Sequence, residues 1–80
     1  SQIIIKFRDP KFDPSRPEFI RTLSEQASVR LEYVRPMSGD AHVFRVQDAL
    51  DSAAIGEVVR RLSQSPDVEY AEPDYPMRHQ

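Results

Sequence analysis

Two acidic residues, Glu72 and Asp74, stand two positions apart near the end of the chain, where the sequence reads VEYAEPD. This stretch alternates apolar and polar residues as an extended strand does, and alternation places residues i and i+2 on the same side. Both carboxylates are therefore expected to point the same way. The unpaired N–H groups and partial positive charge at the N-terminus of a helix favour a carboxylate there. The spacing thus offers two neighbouring acceptors for groups of that kind.

The serine and histidine residues form no catalytic or metal-binding pattern. The serines examined as nucleophiles lie in predicted caps and turns, their ordinary structural use, at Ser15, Ser38, Ser52 and Ser65. His42 and His79 are far apart in the sequence, and the chain has no cysteine, which excludes disulfides and thiolate metal sites. We expect no catalytic residue, no metal and no cofactor, and a partly buried, hydrogen-bonded His42.

Composition argues for a protein partner rather than a nucleic acid or a membrane. The 80 residues include 11 basic and 13 acidic ones, with a formal net charge of -2. The basic residues are scattered, unlike a nucleic-acid or membrane-surface patch, and no apolar run is long enough for a membrane span. A chain this short buries only about 60–65% of its unfolded surface. Small domains commonly depend on disulfides, metals or partners, so we expect a monomer that binds a protein.

Hydrophobic periodicity predicts four strands and two helices. The predicted strands cover residues 2–8, 29–37, 41–46 and 68–72. The first helix is expected over about 16–28, with Ser15 and Glu18 at the spacing of a capping box. The second begins after a cap at Asp51 or Ser52 and ends before the SPD sequence at 65–67. Within it, Glu57 can pair with Arg61 one turn later, and Gly39 suits the tight turn between strands two and three.

The order βαββαβ predicts a ferredoxin-like α+β sandwich, a four-stranded antiparallel sheet with both helices on one face. Strand phase assigns the helix-covered face to Ile3, Ile5, Phe7, Leu31, Tyr33, Phe44, Val46, Val68 and Tyr70. Four apolar residues are left on the open face as a docking patch, namely Ile4, Val34, Val43 and Ala71. Contiguous exposed apolar residues are typical of interaction surfaces.

The segment LSQSPDVEYAEPD, from Leu62 to Asp74, resembles the end of the propeptide of subtilisin-like serine proteases. In that family a helix ends in a Leu-x-x-x-Pro-x-Val segment and runs into a strand similar to V-x-Y-x-E-x-D, shortly before the processing site. IIIKFR looks like the opening strand of the family, and GDAHVFRV is similar to its central strand. The βαββαβ order covers residues 2–74, while the loop at 9–14 carries no distinctive match.

The resemblance implies an intramolecular chaperone and temporary inhibitor of the protease, secreted as part of a precursor and not itself catalytic. Residues 1–74 would dock by the open sheet face on two helices of the enzyme, which Glu72 and Asp74 cap. Residues 75–80 would lie in the substrate cleft as a product: Tyr75, Pro76, Met77, Arg78, His79 and Gln80. Met77 and Gln80 would fill the pockets four residues and one residue before the scissile bond. Gln80 differs from the large apolar residue often found in the latter position.

Two other interpretations remain open at this point. A stand-alone inhibitor of the same fold could act on a protease in trans; the absence of an initiating Met favours a fragment of a precursor instead. A ferredoxin-like regulatory or nucleic-acid-binding module is the alternative from another class, and it predicts a basic open face. In each case we expect the chain to fold without its partner, because both helices and all four strands are well defined by local pattern.

Overall fold

The structure, a computed structural model, describes residues 1–74, which form one antiparallel sheet and two α-helices. The strands are β1 (Gln2–Phe7), β2 (Leu31–Met37), β3 (Ala41–Val46) and β4 (Val68–Pro73), and the helices are α1 (Pro17–Ala27) and α2 (Ser52–Ser63). The strand order in the sheet is β2-β3-β1-β4, with every neighbouring pair antiparallel. This is the ferredoxin-like α+β sandwich that the sequence predicts.

Both helices cover the same face of the sheet. The main core joins Ile3, Ile5 and Phe44 of the two central strands to Leu23 of α1 and Leu62 of α2, and all five are almost fully buried. Each helix contributes residues spaced three or four positions apart, so that one apolar stripe faces the sheet. The opposite face carries no helix in the described part of the chain, and it remains available for other contacts.

The loop between β1 and α1 is anchored by an aromatic cluster. Phe12 packs edge-on against Phe7 and Phe19, with ring centroids 5.6 and 3.9 Å away. Edge-to-face contacts of this kind add to the apolar area that they bury. Side chains of Asp9 and Asp13 accept hydrogen bonds from backbone N–H groups two residues on, at 3.0 Å in each case. The loop is therefore tied to the core, although its sequence shows no periodicity.

The capping box predicted for α1 is wrong. The N-cap residue is Arg16, whose side chain makes no capping hydrogen bond. The hydroxyl of Ser15 instead donates to Asp13 at 2.6 Å, and Glu18 pairs with Arg16 at 2.9 Å. Pro17 opens the helix, and its missing N–H removes one of the donors that a cap would serve. Ser15 thus lies one residue too early and belongs to the turn before it.

The cap of α2 is Asp51, which resolves the alternative left open by the sequence. Its carboxylate accepts from the backbone N–H of Ala54 at 2.8 Å. The predicted pair of Glu57 with Arg61 is confirmed at 3.1 Å, and Arg60 also binds Glu57. These exposed contacts hold the pKa of Glu57 down, mainly through the Arg60 hydrogen bonds, to about 2.

Candidate docking site on the open sheet face

A bulge in β4 determines which side chains reach the open face. Phe7 of β1 lies opposite Val68, whereas the preceding residue, Lys6, lies opposite Tyr70. Glu69 is therefore an extra residue in β4, and beyond it the strand has the opposite phase from a regular ladder. From the bulge onwards, even-numbered residues of β4 face away from the helices.

This change of phase corrects two expectations about β4. Ala71, expected on the open face, lies opposite Ile5 and packs against the main core. Tyr70, expected in the core, is 39% exposed, and it is the exposed large hydrophobic residue of the described chain. Strict period-two alternation along β4 predicts the wrong side of the sheet for both residues. The reason is that Glu69 is an extra residue, and every position after it changes sides.

The carboxylates of Glu72 and Asp74 lie on the open side of the sheet. Glu72 is exposed and lies opposite Ile4 of β1. The backbone N–H of Asp74 donates to the carbonyl of Gln2 at 3.0 Å, so the same phase continues for two more residues. Tyr70, Glu72 and Asp74 therefore succeed one another along one edge of the face that no helix covers.

Three of the four predicted docking residues meet in a second apolar cluster. This open-face cluster consists of Ile4, Val34, Met37, Ala41 and Val43. Val34 reaches it because β2 also bulges, so that the ladder passes from Tyr33 opposite Phe44 to Arg35 opposite Val43. Both edge strands are thus bulged, a common way to modify a sheet edge.

The open-face cluster offers less apolar surface than the sequence suggests. Val43 is 0% exposed and Ile4 is 9% exposed, while Val34 is half-buried. Val43 lies on a central strand, and neighbours on both adjacent strands and along its own strand close over it. The cluster is therefore a small second core, and the more exposed positions beside it are Tyr70 and Glu72.

Ion pairs border the open-face cluster and set its charge. Lys6 pairs with Glu69 at 3.4 Å, and Arg45 pairs with Glu32 at 2.6 Å across β2 and β3. The register assigns five charged residues to this face, namely Lys6, Glu32, Arg35, Arg45 and Glu72. Glu69 joins them through its ion pair with Lys6, and Asp74 through its backbone bond to Gln2. Acidic residues on this face therefore outnumber basic ones. A nucleic-acid-binding face needs a basic surface, so this charge pattern disfavours that alternative.

His42 lies on the helix-covered side, where the sequence analysis expected a partly buried and hydrogen-bonded residue. Its Nδ1 lies 3.1 Å from the Tyr33 hydroxyl, and its ring contacts Phe7 at a centroid distance of 6.0 Å. Burial lowers the pKa of His42 below its ordinary value, against a weaker opposite effect of Asp40 and Asp13. This expectation about His42 is confirmed.

Two structural polar contacts escaped the sequence analysis. Ser24 of α1 donates its hydroxyl to the Ile20 carbonyl at 2.7 Å and accepts the N–H of Leu31 at 3.2 Å, which joins the helix to β2. Asp48 accepts two hydrogen bonds from Arg30, one from its backbone and one from its guanidinium. Leu31 lies 7 positions from Ser24, and Asp48 lies 18 positions from Arg30. Only the Ser24–Ile20 contact has a helical spacing that the sequence could have suggested.

Neither a metal centre nor a membrane-spanning helix is found in the described chain. Among residues 1–74, no three or more His, Cys, Asp or Glu side chains gather as metal ligands. Neither helix of this part is long and apolar enough to cross a membrane. The six predicted cleft-binding residues, from Tyr75 to Gln80, lie outside the described residues.

Comparison with known proteins finds no protein-family model, curated protein or solved structure that matches this chain. The residues of the open face and their geometry are therefore the basis for assigning a function.

Proposed function

We propose that this chain is the propeptide domain of a subtilisin-like serine protease, a non-catalytic folding assistant and temporary inhibitor. The observation that carries the proposal is the position of Glu72 and Asp74, side by side on the face of the sheet that no helix of residues 1–74 covers. The β4 bulge adds Tyr70 to the same row, as an exposed apolar neighbour.

The spacing of the carboxylates suits two adjacent helix ends. Residues two apart on a strand are separated by about 7 Å, and packed helices lie about 8–10 Å apart. Glu72 and Asp74 can therefore each reach the N-terminus of a different helix when the sheet face lies across a pair of them. A capping carboxylate contributes about 1 kcal/mol, through hydrogen bonds to free N–H groups and through the helix dipole.

Tyr70 and the rim of the open-face cluster supply the apolar part of this contact. The face combines an exposed aromatic ring with carboxylates, and Tyr is a residue type enriched in binding hot spots. Residues 75–80 complete the proposal as an extended segment in the substrate cleft. There a peptide adds to an exposed strand edge and places alternate side chains in pockets.

The test is inhibition of a panel of purified subtilisin-like proteases, measured with a chromogenic peptide substrate. The full chain should inhibit at least one of them at submicromolar concentration, and it should leave a chymotrypsin-fold protease unaffected. The double variant Glu72→Ala, Asp74→Ala should weaken inhibition about tenfold or more, because two caps of about 1 kcal/mol each are lost.

The matched control is Glu25→Ala, Asp67→Ala, which removes the same charges from exposed positions of α1 and of the loop before β4. It should inhibit as the unmodified chain does. Equal losses in the two double variants would reduce the effect to net charge and contradict the capping role. Absence of inhibition across the panel at micromolar concentration would contradict the proposal itself.

The alternative of a trans-acting inhibitor is separated by a refolding measurement. A propeptide should accelerate the recovery of activity from a denatured protease domain, whereas a stand-alone inhibitor should block the active enzyme without that acceleration.

A further inference from the structure

A groove separates α1 from the edge strand β2 on the helix-covered side of the sheet. Its volume is about 640 Å³, and its lining includes Ile20 of α1 with Leu31 and Tyr33 of β2. Leu31 is buried, and Ile20 and Tyr33 are half-buried, so these three form an apolar floor. The exposed side chains of Arg21 and Arg30 stand at its rim.

One wall of the groove is an unpaired strand edge. Among residues 1–74, β2 pairs with β3 only. The N–H of Leu31 turns away from β3 to the hydroxyl of Ser24, and Val46 opposite it donates to Ser1 rather than to β2. Because N–H directions alternate in an antiparallel pair, Tyr33 also directs its N–H outward. The bulge at Val34 then ends this regular edge, which leaves room for a short pairing segment.

The charge at the groove is positive although the whole chain is acidic. The Glu32 carboxylate binds Arg45, and Arg30 binds Asp48. Among the ion pairs within residues 1–74, none involves Arg21, which is exposed on α1. Arg21 is therefore the cation that an incoming carboxylate meets beside the apolar floor.

We propose that this groove binds an extended segment of a partner protein that carries an apolar and an acidic side chain two positions apart, so that both face the groove. The backbone of the segment pairs with the β2 edge at Tyr33, and one apolar side chain packs on Ile20 and Tyr33. The carboxylate two positions along the segment points to the same side of the sheet and binds Arg21. Strand addition supplies affinity through main-chain hydrogen bonds, and alternate side chains supply selectivity.

The groove is separate from the docking site on the open face. It lies between the sheet and α1, whereas Tyr70, Glu72 and Asp74 lie on the other side of the sheet at the opposite edge. Both surfaces can thus be occupied at once, and binding in the groove does not depend on the proposed protease partner.

The test is a titration of the full ¹⁵N-labelled chain with two synthetic peptides, followed by amide chemical shifts. The acidic probe is acetyl-Thr-Leu-Thr-Asp-Thr-amide, in which Leu and Asp lie on the same side of the extended peptide, and the basic control is acetyl-Thr-Leu-Thr-Lys-Thr-amide. The acidic peptide should shift the amides of Arg21, Leu31 and Tyr33 saturably, and it should bind at least tenfold more tightly than the basic one.

A pair of charge reversals tests the role of Arg21. Arg21→Glu should weaken binding of the acidic peptide about tenfold, since an attraction becomes a repulsion. Arg8→Glu changes the net charge equally at an exposed position after β1 and should leave binding unchanged. Circular dichroism melts should show both variants folded.

Three results would overturn the proposal: shifts that map to the open face, equal binding of the two peptides, or equal effects of the two reversals. Absence of any saturable shift at millimolar peptide would overturn it as well.

Discussion

At the scale of single residues, the two glycines of the chain have opposite requirements. Gly56 is exposed within α2, and a Cβ added there meets no atom within 4 Å. Gly39 has the same free space but a φ of +80°, which disfavours any residue with a Cβ. We therefore expect Gly56→Ala to raise the free energy of unfolding by about 1 kcal/mol, and Gly39→Ala to lower it by about 1 kcal/mol. Denaturant unfolding measures both, and a change of the same sign in the two variants would contradict the backbone argument.

His42 makes stability depend on pH. Burial lowers the pKa of His42 in the folded chain below the ordinary histidine value of about 6.5. Just below that pH the unfolded chain therefore binds more protons than the folded chain. Stability therefore rises with pH through this window, and it falls as the pH drops below about 6.5 towards the folded pKa. Thermal melts between pH 7.5 and 5.5 should show a steeper fall for the unmodified chain than for His42→Asn. Parallel curves would exclude His42 as the cause.

At the scale of elements, β4 provides a direct test of the bulge. Ala71 packs against the main core and Tyr70 is exposed, although a regular strand would reverse the two. Ala71→Asp should lower the free energy of unfolding by about 1–3 kcal/mol, because it brings a carboxylate against apolar side chains. Tyr70→Asp should cost less than about 1 kcal/mol. Urea unfolding compares the two variants. A larger loss of unfolding free energy for Tyr70→Asp than for Ala71→Asp would indicate a regular strand without the bulge.

At the scale of the whole molecule, folding and inhibition are expected to separate at the end of β4. The last strand of residues 1–74 ends at Pro73, and the sandwich is complete in that part of the chain. Removing residues 75–80 should leave the melting temperature within a few degrees. It should abolish most of the protease inhibition, since the cleft-binding segment is lost while the open face remains. A truncated chain that inhibits as well as the full one would refute the assignment of the tail to the cleft.

The sequence by itself determined the order of elements and the class of fold. Apolar stripes such as Ile55, Val58 and Leu62 on α2 are local signals, because a helix repeats every 3.6 residues whatever surrounds it. The spacing of Glu57 and Arg61 is equally local, and it predicted a contact that the structure contains. The pair Glu72 and Asp74 could also be identified from alternation, since both lie on the same side of the bulge.

Only the tertiary structure decided which side of the sheet each residue of β4 occupies. The phase of a strand is defined against its neighbour, and one extra residue at Glu69 exchanges the positions of Tyr70 and Ala71. Likewise, Val43 looks exposed by alternation, yet side chains from three strands close over it. Register and coverage depend on atoms brought together from distant parts of the chain, and no local pattern contains them.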